Sequence, residues 1–387
     1  MSLKKTPLRL SVRALLSVER MIRPTPAASP SHILILEYLL PLGCCVHLTP
    51  VYEAIKRSAP ESTIAVATRG LGLSLLRHHP FIDHLIETPD PLVSPLRAAQ
   101  SLRAELTRRA WRPELILTGA SDQRTRIAAM AMLTAPAIRG GFTIHSELYH
   151  RPLSYDSQRS LIDNNLRMVE LAAASTAHRE PRVFFSSANV ATAQELLQAA
   201  NPEQRPLVIF VTQNSGGQLT GWHTSRFVEV IQHTYNQLGC AIVYVGTDKD
   251  GAPIEAIRQA AGGIGVSLAG KTSVAELAAV LALADAAVSL DTGTMHIGRC
   301  VGLPMVVIGP SWQKPIEWLP LELPQARILR GPDRDRKDIP ADYRLDEIEA
   351  ATVITALEDL LTKYSPNAAS RQQRLSSGLS TVDHLRH

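Results

Sequence analysis

Ala286–Pro310 reads AAVSLDTGTMHIGRCVGLPMVVIGP. Ala286 to Leu290 is a small, apolar run of buried-strand type, and the polar turn Asp291-Thr292-Gly293-Thr294-Met295-His296 follows it. Asp, Thr and Gly suit a strand-to-helix turn because they cap helix ends and tolerate unusual backbone angles. A short helix, a glycine break at Gly302 and a second apolar strand ending at Gly309-Pro310 complete the unit. The first amides of such a helix lack internal partners and carry part of the helix dipole. A turn of this kind at the carboxyl end of a parallel strand is a natural diphosphate seat. His296 falls in the first turn of the helix and is expected to face the same ligand. Asp291, which repels phosphate, suits ordering the turn.

The alternation continues outward. Leu207–Val211, Ala241–Val245 and Val266–Leu268 read as strands, and Ser225–Leu238 and Ile254–Ala261 as helices. Ser273-Val274-Ala275-Glu276 is a capping box that opens a helix to about Ala284. Asp346–Lys363 predicts a closing helix. Before the Asn201-Pro202-Glu203 turn lies a second set: strands at His32–Leu36, Thr63–Ala67, His84–Glu87 and Glu114–Thr118. A glycine turn at Leu42-Gly43 and helices at Val46–Ser58, Leu71–His78, Leu96–Arg109 and Arg124–Leu133 separate them. Asp163, Asn164 and Asn165 open a further helix. Strands alternating with helices imply parallel sheets. The expected fold class is therefore α/β, with two Rossmann-like domains, residues 31–180 and 181–365, between a basic arm (1–30) and a mobile Ser-, Gln- and Arg-rich tail (366–387).

A length of 387 residues fits two domains, and 45% hydrophobic with 20% charged residues is the balance of a soluble globular chain. No stretch approaches the ~20 apolar residues that span a bilayer. Cys44, Cys45, Cys240 and Cys300 show no zinc-ligand spacing, and adjacent Cys44 and Cys45 disfavour a disulfide between them, which fits a reducing cytoplasm. The arm carries Lys4, Lys5, Arg9, Arg13, Arg20 and Arg23 against Glu19, with Leu and Val at amphipathic spacing. It reads either as a solvated arm or as a peripheral contact with an anionic membrane face. No aromatic-plus-basic pattern suggests nucleic acid.

The pattern D-T-G-x-M-H, carried by Asp291, Thr292, Gly293, Met295 and His296, continues through Gly302, Pro304, Gly309, Pro310 and Ser311. It resembles glycosyltransferase family 9, which includes the ADP-heptose:lipopolysaccharide heptosyltransferases. The resemblance spans about residues 32–365. It implies the two-Rossmann GT-B architecture with the active cleft between the domains, and transfer of a sugar, with inversion, from a nucleotide-diphosphate donor to a lipopolysaccharide-type glycan. No cofactor is expected, and since no cluster of His, Cys and carboxylates has ligand spacing, no structural metal is expected either.

Two departures from the family pattern are visible. In the family's G-D-x-x-x-T-P segment the Asp acts as general base; here Gly43, Thr49 and Pro50 are present, with one residue more between Gly43 and Thr49, and Cys44 stands in place of the Asp. An ordinary thiol, with a pKa near ~8.5, is a poor base at neutral pH. His47, three residues on and on the same helical face, and Glu37, just past the first strand, are the candidate stand-ins. The family's second segment, Ser-x-x-x-Lys-x-Trp, keeps Trp222 but has Thr220 for the Lys that neutralises the leaving diphosphate. Ser215, Gly216 and Gly217 still offer donors to phosphate, and Arg226, Lys271 or Lys314 would have to supply the charge. A non-catalytic nucleotide-sugar or glycan-binding relative is therefore the alternative reading. A nicotinamide-dependent oxidoreductase fits less well, since no G-x-G-x-x-G follows the first strand.

Gly265–Thr272 (GVSLAGKT) satisfies the phosphate-loop expression, but its middle reads as a strand and Ser273 as a helix cap, so it is expected to be no ATPase loop. In the family a similar stretch borders the donor site, which keeps Lys271 a candidate contact. Asp248-Lys249-Asp250 and Asp333-Arg334-Asp335 resemble metal-binding D-x-D motifs but sit in polar loops and read as solvated charge.

Overall fold

The structure, a computed structural model, describes residues 29–38, 41–175, 178–214 and 221–385. The basic arm lies outside these residues except for its last two positions. The described chain divides into two compact units that meet in sequence at Glu180–Pro181, with Arg77–His79 counted in the second.

The first unit holds β1 (His32–Leu36), α1 (Leu42–Val46), α2 (Thr49–Ser58), β2 (Thr63–Thr68), α3 (Gly70–Leu76), β3 (His84–Glu87), α4 (Pro95–Arg108), β4 (Leu115–Thr118), α5 (Thr125–Thr134), β5 (Ile138–Phe142), β6 (Arg151–Leu153) and α6 (Leu161–Leu171). Its sheet runs β3-β2-β1-β4-β5-β6, all parallel. Leu34, Leu36, Ala65, Ala67 and Ile116 pack beneath Leu102 and Leu106 of α4 and Ile127, Met130 and Ala131 of α5. These strands are buried on both faces, which is why they read as near-continuous apolar runs.

The second unit repeats the topology. It comprises α7 (Ser187–Ala200), β7 (Leu207–Val211), α8 (Thr224–Asn236), β8 (Ala241–Tyr244), α9 (Gly251–Ala260), β9 (Val266–Ser267), α10 (Val274–Leu283), β10 (Ala286–Leu290), α11 (Gly293–Cys300), β11 (Met305–Ile308), α12 (Pro315–Trp318), β12 (Ala326–Leu329), α13 (Ala350–Lys363) and α14 (Ala368–Gly378). Its parallel sheet runs β12-β11-β10-β7-β8-β9. Val208, Phe210, Val288 and Ile308 form a core with Phe227 and Ile231 of α8 and Val353 and Leu357 of α13.

Three local expectations change. Gly43 is not in a turn but inside the one-turn helix α1, and the helix expected from Val46 to Ser58 is split at His47–Leu48. Thr49 Oγ1 donates to the Val46 carbonyl at 2.8 Å, and Pro50 sits in the first turn of α2, where a missing N–H costs nothing. The segment after Ser365, expected to be mobile, forms α14. Arg371 pairs with buried Asp285 through Nε at 2.8 Å and Nη2 at 2.5 Å. Arg374 donates to the Ala282 and Ala284 carbonyls at the end of α10. Phe185 then pairs with Leu379 in a parallel bridge. Two of the tail's polar residues, Arg371 and Arg374, thus have partners in the fold, while Gln372, Gln373, Ser376 and Ser377 are exposed on the other face of the helix.

Candidate functional site

In each unit the chain runs outward from a central strand, returns, and fills the other half of the sheet. The reversal lies between β1 and β4 in the first unit and between β7 and β10 in the second. Open parallel sheets bind ligands in the crevice outside the strands' carboxyl ends at such points. The two segments that carry the sequence motifs fall there: Gly43–Pro50, in α1 and the start of α2, follows β1, and Asp291–His296, the turn into α11, follows β10.

In the second unit Thr292 is the N-cap of α11, with extended backbone (φ −145°, ψ 171°) and no side-chain cap. Its Oγ1 is buried without a hydrogen-bond partner. A helix start therefore offers uncapped amides beside an unused hydroxyl, the arrangement that takes an anion. Asp291 and His296 are both buried, with His296 Nε2 3.8 Å from Asp291 Oδ1. Burial pushes the Asp291 carboxyl up to about 6. Burial, with Arg299 adding to it, pulls His296 down to about 3. At neutral pH the imidazole is uncharged, with one N–H to donate, and the carboxyl is ionised but held close to its titration range. Gly293 and Thr294 contribute the first backbone amides of the helix.

The remaining donor-side candidates are partly placed. Ser215, Gly216 and Thr220 lie outside the described residues. Trp222 is buried, its Nε1 donating to the Ile348 carbonyl at 2.8 Å. Arg226 is committed to the loop before α13, through the Asp346 and Ile348 carbonyls, each at 2.9 Å, and Glu349 at 2.6 Å. Lys271 is exposed in the turn after β9, and Lys314 is the N-cap of α12, just after β11. Of the three cations considered for the missing charge, Arg226 is thus tied elsewhere.

The apparent phosphate loop is taken up by fold elements. Gly265 (φ +83°) enters β9 where a Cβ would meet the Ile242 carbonyl at 2.8 Å, and Ser273 caps α10 with Glu276 closing the box. Of the D-x-D segments, Asp248–Asp250 is a single 3₁₀ turn, and Asp333–Asp335 leads into another at Arg336–Asp338. Asp250 accepts from Thr247 N and Oγ1, both at 2.7 Å, and Asp335 accepts from Lys337 N at 3.1 Å. Among the described residues no group of three or more His, Cys, Asp or Glu could hold a metal ion, and no helix is long and apolar enough to cross a membrane.

In the first unit Cys44 is 6% exposed. Burial pushes its thiol up to about 11, against a hydrogen bond from Ser121, and Asp122 and Glu37 add to the rise. It is a thiol, not a thiolate, at neutral pH. His47 is 1% exposed, in the turn between α1 and α2, its carbonyl accepting from Asn165 Nδ2 at 3.0 Å. Asn165 Oδ1 accepts from Ala120 N at 2.8 Å, so α6 staples the β1 turn to the loop after β4. Glu37, 2% exposed, accepts from the Tyr52 hydroxyl and from Cys45. Burial is the larger effect and raises its carboxyl from 4.5 to about 7.

That rise has a sign. Between pH 4.5 and about 7 the folded chain holds a proton at Glu37 that the unfolded chain has lost, so stability falls as pH rises through the window. Glu37→Gln is expected to flatten that fall and to be the more stable protein at pH 8, by on the order of 1–3 kcal/mol at ~1.4 kcal/mol per pKa unit. Urea denaturation at pH 5 and pH 8 measures it; parallel pH dependences in the two proteins would contradict it.

The family model of glycosyltransferase family 9 (heptosyltransferase) matches residues 123–330, more than half the chain. The chain belongs to glycosyltransferase family 9. Solved structures agree at the level of fold. A family 9 glycosyl transferase from Veillonella parvula superposes with a TM-score of 0.76 at 20% identity, over 86% of this chain and 98% of that one. The ADP-heptose lps heptosyltransferase II of E. coli gives 0.70 at 17% identity, over 87% and 100%. E. coli heptosyltransferase WaaC with ADP-2-deoxy-2-fluoro heptose gives 0.63 at 16% identity, over 85% and 99%. No curated protein sequence matches the chain. The two parallel six-stranded sheets are thus those of the GT-B-like heptosyltransferase fold. Within this family 9 chain, the sequence reading singled out Asn165 only as part of a helix start, and it missed Tyr38 and Asp122; together these residues join the β1 and β4 loops. The signal available was the polar run Ser121-Asp122-Gln123-Arg124 directly after an apolar strand.

Proposed function

We propose that this family 9 protein is an inverting glycosyltransferase that moves a sugar from a nucleoside-diphosphate donor to a glycan hydroxyl, with the donor's diphosphate at the start of α11. The observation that carries this reading is the uncapped N-terminus of α11, with the partnerless Thr292 hydroxyl and buried His296 beside it. Amides of Gly293 and Thr294, the Thr292 hydroxyl and the His296 N–H would hold phosphate oxygens. Asp291 would accept a ribose or sugar hydroxyl. Gly43 to His47 would border the acceptor, with Ser215, Gly216, Thr220 and Lys271 on the donor side. ADP-heptose as donor and a lipopolysaccharide-type acceptor follow from the family and from the ADP-heptose named with the E. coli structures. On this reading the protein works in the cytoplasm, and the basic arm touches the inner face of the membrane.

The test is calorimetric titration with ADP, UDP, GDP and CMP, followed by a nucleotide-sugar screen read by mass spectrometry. Selective binding of one nucleoside diphosphate and transfer from its sugar are expected; no binding across the panel would overturn the donor seat. Cys44 and Thr220 favour a second reading, a donor-binding relative without catalysis. Turnover by the unaltered chain rules that reading out. Transfer that appears only after Cys44→Asp with Thr220→Lys would establish it.

A further inference from the structure

We infer that Lys314 supplies the positive charge that the leaving diphosphate needs, in place of the Lys absent at position 220. The inference rests on the transferase reading above. The seat at the start of α11 is poor in charge. His296 is uncharged at neutral pH and Asp291 is ionised, so Thr292, Gly293, Thr294 and His296 offer phosphate dipoles but no full positive charge. The sheet order puts β11 next to β10, and β9 three places away on the other side. At ~4.8 Å per strand, the loop after β11 adjoins the seat, whereas the turn after β9, which carries Lys271, starts roughly 14 Å off. The ends of β10 and β11 are level, since the Asp291 amide donates to the Ile308 carbonyl at 3.3 Å. α12 folds back onto this end of β11, because a Cβ at Gly309 would come 3.2 Å from Leu319 Cδ1. Lys314, exposed, is the N-cap of α12.

The loop that presents Lys314 is built to hold its shape. The Ser311 carbonyl accepts from Arg330 Nη2 at 3.0 Å and from the Arg334 amide at 3.1 Å, and the Gln313 carbonyl accepts from the same Arg330 nitrogen at 3.1 Å. The buried Ser311 hydroxyl lies 3.1 Å from the Tyr343 hydroxyl, and the Arg336 guanidinium sits over the Trp312 ring, 4.8 Å from its centroid. Arg330, at the end of the next strand, is thus a positioning residue for this loop. A lysine is a compact charge on a flexible four-carbon stem with three donors, so it binds a phosphate oxygen while keeping a neighbour in its own loop. In the step, the acceptor oxygen bonds to the anomeric carbon as the bond from that carbon to the phosphate oxygen breaks. The bonding pair leaves with the nucleoside diphosphate, whose new negative charge Lys314 meets, and the acceptor hydroxyl's proton passes to water.

The experiment titrates the full chain with ADP by calorimetry and measures transfer from ADP-heptose to heptose-stripped lipopolysaccharide. Lys314→Gln is expected to weaken ADP binding by ~10–100-fold, the share of a hydrogen bond to a charged group, and to lower kcat by ~10²–10³. Lys314→Arg keeps the charge and is expected to stay within about tenfold of the unaltered chain. Adding Thr220→Lys to Lys314→Gln is expected to recover about tenfold or more in ADP affinity. Lys337→Gln removes the same charge from the following loop and is expected to change neither quantity by more than about twofold. Affinity and rate unchanged in Lys314→Gln would overturn the inference. So would a loss that neither Lys314→Arg nor Thr220→Lys restores, an equal loss in Lys337→Gln, or a larger loss in Lys271→Gln. Where the unaltered chain binds ADP but transfers nothing, the ADP affinities decide by the same criteria. No ADP binding by the unaltered chain overturns the donor seat and the transferase reading with it, whereas ADP binding indifferent to position 314 overturns this inference alone.

Discussion

Asp291→Ala and His296→Ala are each expected to weaken nucleoside-diphosphate binding by ~10–100-fold, measured by calorimetry, while the fold persists. His296 is uncharged at neutral pH, so its contribution is one directed N–H to a phosphate oxygen in a dry setting; a hydrogen bond to a charged group is worth roughly 1.5–3 kcal/mol. Asp291 lies 3.8 Å from that ring and ends the strand that delivers the helix. Losing its carboxylate removes the acceptor for a ribose or sugar hydroxyl. Asp291→Asn separates the two roles: it keeps the side chain's shape and removes its charge, and is expected to bind nucleoside diphosphate at least as well as the unaltered chain does. Unchanged affinity in both alanine variants would remove Asp291 and His296 from the donor site.

Asp285→Ala is expected to destabilise the protein by about 3–5 kcal/mol, the range seen when one partner of a buried ion pair is deleted. The Asp285 side chain is 1% exposed and joins three parts of the second unit. It accepts from the Leu207 amide at 2.8 Å, where β7 begins, and from Arg371 of α14, while its own chain position leads into β10. Removing the carboxylate strands a guanidinium and an amide together. Truncation after Ser365 is expected to lower stability as well, because Arg374 also leaves the α10 carbonyls. Urea denaturation followed by circular dichroism reads both; a shift under 1 kcal/mol for Asp285→Ala would show that the pair is replaceable by water.

Much of the framework was legible because its determinants are local. His32–Leu36, His84–Glu87, Leu207–Val211 and Ala286–Leu290 are strands with the bounds their apolar runs suggest, and Ser273 caps its helix as the capping box requires. What escaped was held by distant partners. β5 was missed because its sequence, IRGGF, has no apolar alternation. Arg139 is fully buried there, with Nε donating to the Leu148 carbonyl at 2.8 Å, and Gly141 (φ +108°) sits where a Cβ would be 2.3 Å from the Thr118 carbonyl. α14 was missed for the same reason, its arginines being answered by residues ~90 positions away. The Asp291–His296 turn was readable because its helix start and polar groups are contiguous. Asp122 was not, because only the β1–β4 pairing brings it to Tyr38 and Cys44.

The claim on which the account depends is the seat at the start of α11, and a crystal structure with ADP or ADP-heptose bound tests it most directly. The account predicts phosphate oxygens within hydrogen-bond distance of the Gly293 and Thr294 amides, the Thr292 hydroxyl and His296. A nucleotide bound away from that helix end, with Thr292 and His296 untouched, would contradict it.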